Sequence, residues 1–198
     1  ADYGKGWAAE LALEELFDKT KRLLESQVSD LVLPEKSLTK GWPPAFQFGR
    51  QSWTRLFGST GVNNKVYVWI ATPATATKDN ECLPGHCVFQ FVIWLWANEH
   101  NQDWLVLRRS LPAWMDHLSQ QHGFAGSVFK GPRDQWSGSQ VEKLTERRKY
   151  CFWQGEPLDL GPEDLRNFDE VANTIAMRVV QCIALVDSLP TGEEVQES

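Results

Sequence analysis

Cys82, His86 and Cys87 form the densest group of metal-ligating side chains in the chain, two thiols and one imidazole within six residues of each other, on a turn that also holds Pro84 and Gly85. Thiolate and imidazole are the ligands zinc prefers, and a structural zinc site needs four of them at tetrahedral positions. This turn supplies three, and a fourth would have to come from a distant residue such as Cys151. No second ligand pair stands at zinc-finger spacing. The plainer reading is a polar turn that leads into a buried strand, with Cys87 as its first core residue, and no cofactor is implied. A Cys82–Cys87 disulfide would require an oxidising compartment. The four cysteines are irregularly spaced in 198 residues, so reduced thiols and a cytoplasmic location are expected.

The same turn is the best starting point for a hydrolase or ligand-binding protein of unrecognised type, if Cys82, His86 and Cys87 face His117 or His122 in one pocket. The motifs that would sharpen this idea are missing. The chain has no G-x-S-x-G elbow, no phosphate-cradling G-x-x-x-x-G-K-[ST] and no G-x-G-x-x-G. Metal-dependent nucleases place clustered carboxylates on adjoining strands, whereas the two clearest strand segments, residues 65–72 and 87–96, carry neither Asp nor Glu. His117 and His122 are five residues apart and so do not share a helix face as i, i+4 ligands do. The balance points away from an enzyme.

Basic residues interleaved with aromatics suit a different chemistry, stacking on unpaired bases with phosphate contact. Arg133, Arg147, Arg148 and Lys149 lie close to Trp136, Tyr150 and Trp153. This makes a nucleic-acid-binding module an alternative, with Arg133, Arg147, Arg148, Lys149 and Trp153 as its contacts. The formal charge of −6 opposes it.

Tryptophan is the most conspicuous feature of the composition. The chain holds 10, where about two or three would be ordinary for its length. Trp69, Trp94, Trp96 and Trp104 are expected to stack across neighbouring strands on one sheet face. That face is then either a broad aromatic binding surface or a tryptophan-built core. Trp42, Trp53, Trp104, Trp114 and Trp136 fall in loops or at element ends and are expected to be exposed anchors for a partner. The preferred expectation is a non-catalytic, intracellular interaction module that contacts another protein through this Trp-rich surface, with no membrane association.

These residues need a scaffold. Leu13, Leu16, Phe17, Leu23, Leu24 and Val28 recur at helical spacing and predict a helix over residues 7–31. Alternating apolar residues predict strands over 65–72 and 87–96, with further strand signals over 45–57, 103–109, 124–130 and 147–154. Ser110 and Pro112 predict an internal helix reaching His122. Gly161-Pro162-Glu163-Asp164 predicts the start of a long final helix whose stripe runs from Leu165 through Ile175 to Val186. Paired strands with short links favour an α+β fold: a mostly antiparallel sheet of about five to seven strands, with the N-terminal and long C-terminal helices on one face and one internal helix. Residues 1–190 are expected to form one domain and residues 191–198 an acidic, mobile tail.

Overall fold

A computed structural model of the chain describes residues 3–33, 38–39, 44–53, 65–73, 82–96, 110, 113–114, 117, 128–130 and 150–190. The elements in chain order are helix α1 (Tyr3–Gln27) and strands β1 (Leu31–Val32), β2 (Leu38–Thr39), β3 (Ala45–Arg50), β4 (Lys65–Ala71), β5 (Cys87–Trp96), β6 (Val128–Lys130), β7 (Tyr150–Gln154) and β8 (Leu158–Leu160), followed by helix α2 (Phe168–Asp187). Short 3₁₀ turns follow β3 (Gln51–Trp53) and precede α2 (Asp164–Arg166). Ser110, Ala113, Trp114 and His117 are also helical, where the internal helix is expected.

The fold is α+β. One antiparallel sheet runs in the order β1-β3-β4-β5-β7-β6, with β2 also on β3 and β8 also on β5. Of its eight strands, β1 and β2 are two-residue segments. β4 and β5 are interior because both of their faces are apolar, which leaves no side to give to water. Val66, Val68 and Ile70 of β4 and Phe89, Phe91 and Ile93 of β5 point to one face and are at most 1% exposed. Leu16, Phe17 and Leu24 of α1, Val28 just beyond its end, and Ile175, Val179, Ile183 and Val186 of α2 pack into the same core. The Phe17 ring lies 5.3 Å from that of Phe46 and 5.8 Å from that of Phe48, which seats α1 on β3. Both helices therefore cover one face. Burying each such aromatic or aliphatic side chain contributes about 1.5–3 kcal/mol.

Three expectations are corrected. The final helix does not start at Gly161-Pro162. The Asp164 carboxylate accepts the Gly161 N–H at 3.0 Å and closes a separate 3₁₀ turn, and α2 starts afresh at Asn167, whose side chain accepts the Glu170 N–H. The first helix ends at Gln27, because the chain turns at Ser29–Asp30 to pair β1 with β3. Trp53 and Trp114, expected as exposed anchors, are buried at 0% and 1% exposure. Each indole N–H has an internal acceptor, Asp187 Oδ1 for Trp53 and the Pro190 carbonyl for Trp114, both at 2.8 Å. A buried indole needs such an acceptor, and here the fold supplies it.

Candidate functional site

The chemistry-bearing turn is held in place at its start and its end. Gly85 takes φ +79°, a left-handed conformation natural to glycine, and lets residues 82–86 fold back before β5 begins. β8 then pairs with the start of β5, Cys87 opposite Leu160 and Val88 opposite Asp159. This register brings the Asp159 carboxylate to 2.8 Å from His86 Nδ1. A carboxylate only accepts, so Nδ1 is the donor of this bond. The ring also lies against Gly161, where an added Cβ would sit 3.5 Å from Cε1.

An imidazole oriented by a carboxylate is half of a nucleophilic site. The other half is not built here. Cys82 Sγ lies 3.3 Å from the His86 carbonyl oxygen and 3.7 Å from that of Ala71, so the thiol donates to backbone rather than facing the imidazole. Burial and the nearby Asp159 charge push its pKa up, against an opposing hydrogen bond from the Val88 N–H. Burial, with Cys82 and Asp159 adding to it, pushes the Cys87 thiol up to about 12. Both thiols are free, and their surroundings favour the protonated form over the nucleophilic thiolate. Among the described residues, no three His, Cys, Asp or Glu side chains converge as metal ligands. Nor do His86 and His117, the two histidines among the described residues, meet. His86 is tied to Asp159 ahead of α2, whereas His117 Nε2 is 2.8 Å from Ser188 Oγ just beyond its far end. A helix of 20 residues separates them, about 30 Å in length.

A second polar cluster went unseen in the sequence. Arg50, at the end of β3, reaches Asp30 with Nε at 2.6 Å and Asp187 with Nη1. The Ser52 N–H donates to Asp30 Oδ2 at 2.8 Å, and Trp53 Nε1 donates to Asp187 Oδ1. Burial works to raise the Asp30 carboxyl, but hydrogen bonds from Ser52 and Arg50 and the guanidinium charge outweigh it and hold the carboxyl at about 2. All four carboxylate oxygens are engaged, and the cluster joins the end of α1, the end of β3 and the end of α2. Its chemistry is that of a clasp. The partners are up to 137 residues apart, so no local spacing could have revealed it.

The remaining candidate is the sheet face that does not carry the helices. Alternation along β4 puts Tyr67 and Trp69 there, with ring centroids 6.4 Å apart in an edge-on arrangement. Tyr67 stands between Gln47 and Val92 in the register, and Trp69 between Ala45 and Gln90. Gln47 and Gln90 are each 7% exposed, while Tyr67 and Trp69 are half-buried. All four of these side chains have partners. Burial raises the Tyr67 phenol. Trp94 and Trp96 occupy register positions of the same face, opposite Lys65 and Tyr150 respectively. Trp69, Trp94 and Trp96 thus share one face as strand positions, with Trp69 opposite Gln90 rather than another tryptophan, and Trp104 lies outside the described residues.

Comparison with known proteins finds no relative: no family model, no curated protein and no solved structure matches the chain.

The other expected site residues divide into two groups. Trp153 is placed in β7, opposite Ile93 and Phe129. Trp42, Trp104, Trp136, Arg133, Arg147, Arg148, Lys149 and His122 lie outside the described residues, as do the expected strand over 103–109 and the tail over 191–198. Among the described residues, no helix is long and apolar enough to cross a membrane.

Proposed function

We propose that the protein is a non-catalytic interaction module that grips a partner protein through the sheet face opposite the two helices. The observation that carries this reading is the Tyr67–Trp69 pair, two half-buried aromatic side chains in edge contact on a strand face backed by the buried amides of Gln47 and Gln90. Rigid, half-buried aromatic side chains give a partner apolar area at small entropic cost. The net charge of −6 favours a neutral or basic protein surface over a phosphate backbone. Trp42, Trp104 and Trp136 serve as further anchors in this reading.

The test is affinity capture from the native cells with the unmodified chain, Trp69→Ala and Tyr67→Ala, after nuclease treatment and a high-salt wash. A protein partner retained by the unmodified chain and lost with Trp69→Ala, with thermal unfolding unchanged, supports the proposal. Equal retention by both variants removes it. Recovery of nucleic acid that disappears at high salt would instead move the function to the basic–aromatic set of Arg133, Arg147, Arg148, Lys149 and Trp153.

A further inference from the structure

The turn that leads into β5 brings two free thiols together. The Leu83 carbonyl accepts the His86 N–H at 3.0 Å, with Pro84 and Gly85 between them and Gly85 at φ +79°. That is a β-turn with proline at its second position and a left-handed glycine at its third, which holds its end residues within about 7 Å. Cys82 and Cys87 are the next residue out on each arm. The position of Cys82 Sγ shows that the arms stay close. It donates to the His86 carbonyl at 3.3 Å and accepts the Val88 N–H. Those two groups belong to the residues on either side of Cys87, so the sulfur rests against the Cys87 backbone. Both cysteines are partly exposed. Cys87 pairs with Leu160 of β8 and packs against the core, whereas Cys82 stands at the open end beside Leu83, which is 61% exposed.

We propose that Cys82 and Cys87 are a redox pair that closes to a disulfide across this turn when the folded chain meets a low-molecular-weight disulfide such as oxidised glutathione. A disulfide spans Cα atoms about 4.4–6.8 Å apart, a separation within reach of two residues that flank a closed β-turn. Pro84 fixes its own φ and the Leu83–His86 bond closes the turn, so each thiol is held at high local concentration beside the other. The Cys82 thiolate attacks one sulfur of the oxidised glutathione. Its S–S bond breaks and releases one glutathione thiolate, which takes up the proton that Cys82 gave up. The Cys87 thiolate then attacks the Cys82 sulfur, breaks the mixed disulfide and releases the second glutathione, again as a thiol. Two protein thiols are oxidised, and one glutathione disulfide is reduced to two thiols. Cys82 reacts first because it stands at the open end of the turn. Only thiolate attacks, so the raised pKa of each thiol slows the exchange without opposing its end point. Closure costs Cys82 its bonds to the His86 and Ala71 carbonyls and ties the entry to β5 covalently. It requires nothing of the sheet face proposed to meet a partner.

The test equilibrates the folded chain at about pH 8 in glutathione buffers of graded ratio, then quenches with acid, alkylates and digests with trypsin. Cys82 and Cys87 share one peptide, residues 79–108, and Cys151 and Cys182 fall on two others. The shared peptide is expected to lose both alkylation sites and about 2 Da, the two hydrogens removed, and to recover both sites under dithiothreitol. Cys82→Ser and Cys87→Ser should each abolish that mass loss. The equilibrium constant for closure should be at least tenfold larger in the folded chain than in the urea-unfolded chain, where only the length of the intervening segment holds the thiols together. By the same thermodynamic cycle the oxidised protein should resist urea better by at least ~1.4 kcal/mol, the equivalent of tenfold. A constant less than tenfold above that of the unfolded chain, a glutathione adduct that stops at Cys82, pairing of either thiol with Cys151, or a folded-chain peptide that stays fully alkylated each overturns the inference.

Discussion

Replacing Asp30 with Asn isolates the electrostatic content of the clasp that joins both helices to the sheet. The Asp30 carboxyl is held at about 2 against an ordinary 3.8. A depressed folded-state value means that the charged form is favoured by folding. That contribution is complete above about pH 4 and is lost as pH falls through 2. The shift corresponds to about 2 kcal/mol. A quarter of the side chain is exposed, so solvent screening reduces the measurable part to about 1–2 kcal/mol. Asn keeps the shape and its amide oxygen still accepts the Ser52 N–H, so the variant removes the charge and the bonds to Arg50 while leaving that hydrogen bond.

Urea unfolding followed by tryptophan fluorescence, repeated from pH 7 to pH 2, gives the profile. Asp30→Asn should be about 1–2 kcal/mol less stable than the unmodified chain at pH 7, and the difference should shrink towards zero by pH 2. Other carboxylates titrate in both proteins and cancel in the difference. Arg50→Ala should cost more, about 3 kcal/mol, because it leaves two partly buried carboxylates facing each other without their cation. A constant difference between Asp30→Asn and the unmodified chain across the whole range would refute the reasoning, since the loss would then come from packing alone.

Three further outcomes follow from local geometry. Asn167→Ala removes the side chain that accepts the Glu170 N–H at the start of α2 and should cost about 1 kcal/mol in urea unfolding, with the Asn167→Ser variant recovering most of it. Gly85→Ala forces a Cβ onto a φ of +79° and to 3.0 Å from Pro162 Cγ; a loss of about 1–2 kcal/mol is expected, and an unchanged unfolding midpoint would contradict it. Cys182 is fully buried, and burial pushes its thiol up to about 12, so an aromatic disulfide reagent at about pH 8 should leave it unlabelled in the native protein and label it on unfolding, whereas labelling at the rate of a free thiol would show that the core opens.

The α+β class was legible because it depends on periodicity. Val66, Val68 and Ile70 alternate along β4, and Ile175, Val179 and Val186 recur along α2; each pattern predicts a buried face that the fold then uses. What escaped were short elements whose existence depends on a distant partner. β8 has three residues and matters because it pairs with β5 and delivers Asp159 to His86. Its signal, an apolar–polar–apolar triplet between Pro157 and Gly161, is too short to stand alone. The start of α2 did have a local signal. Asn167 followed by Glu170 is the spacing of a capping pair, but the proline and acids at residues 162–164 gave a louder one.

Trp53 shows why exposure is harder to read than periodicity. It stands in a turn at the end of β3, where a side chain is as free to face solvent as to face the core. The difference is made by Asp187, 134 residues later, which gives the indole N–H an acceptor. The same logic removes Cys82 and His117 from a shared site, since each commits its polar atoms to a nearby structural tie. Polar residues within apolar alternation are the better guide. Gln47 and Gln90 interrupt otherwise apolar strands, and both fall on the face without helices. A buried amide costs stability unless it is bonded, so two of them on one face mark where this sheet departs from a plain hydrophobic layer. Tyr67 and Trp69 stand directly across from them in the register, which makes this face, rather than the cysteine turn, the place to begin mutagenesis.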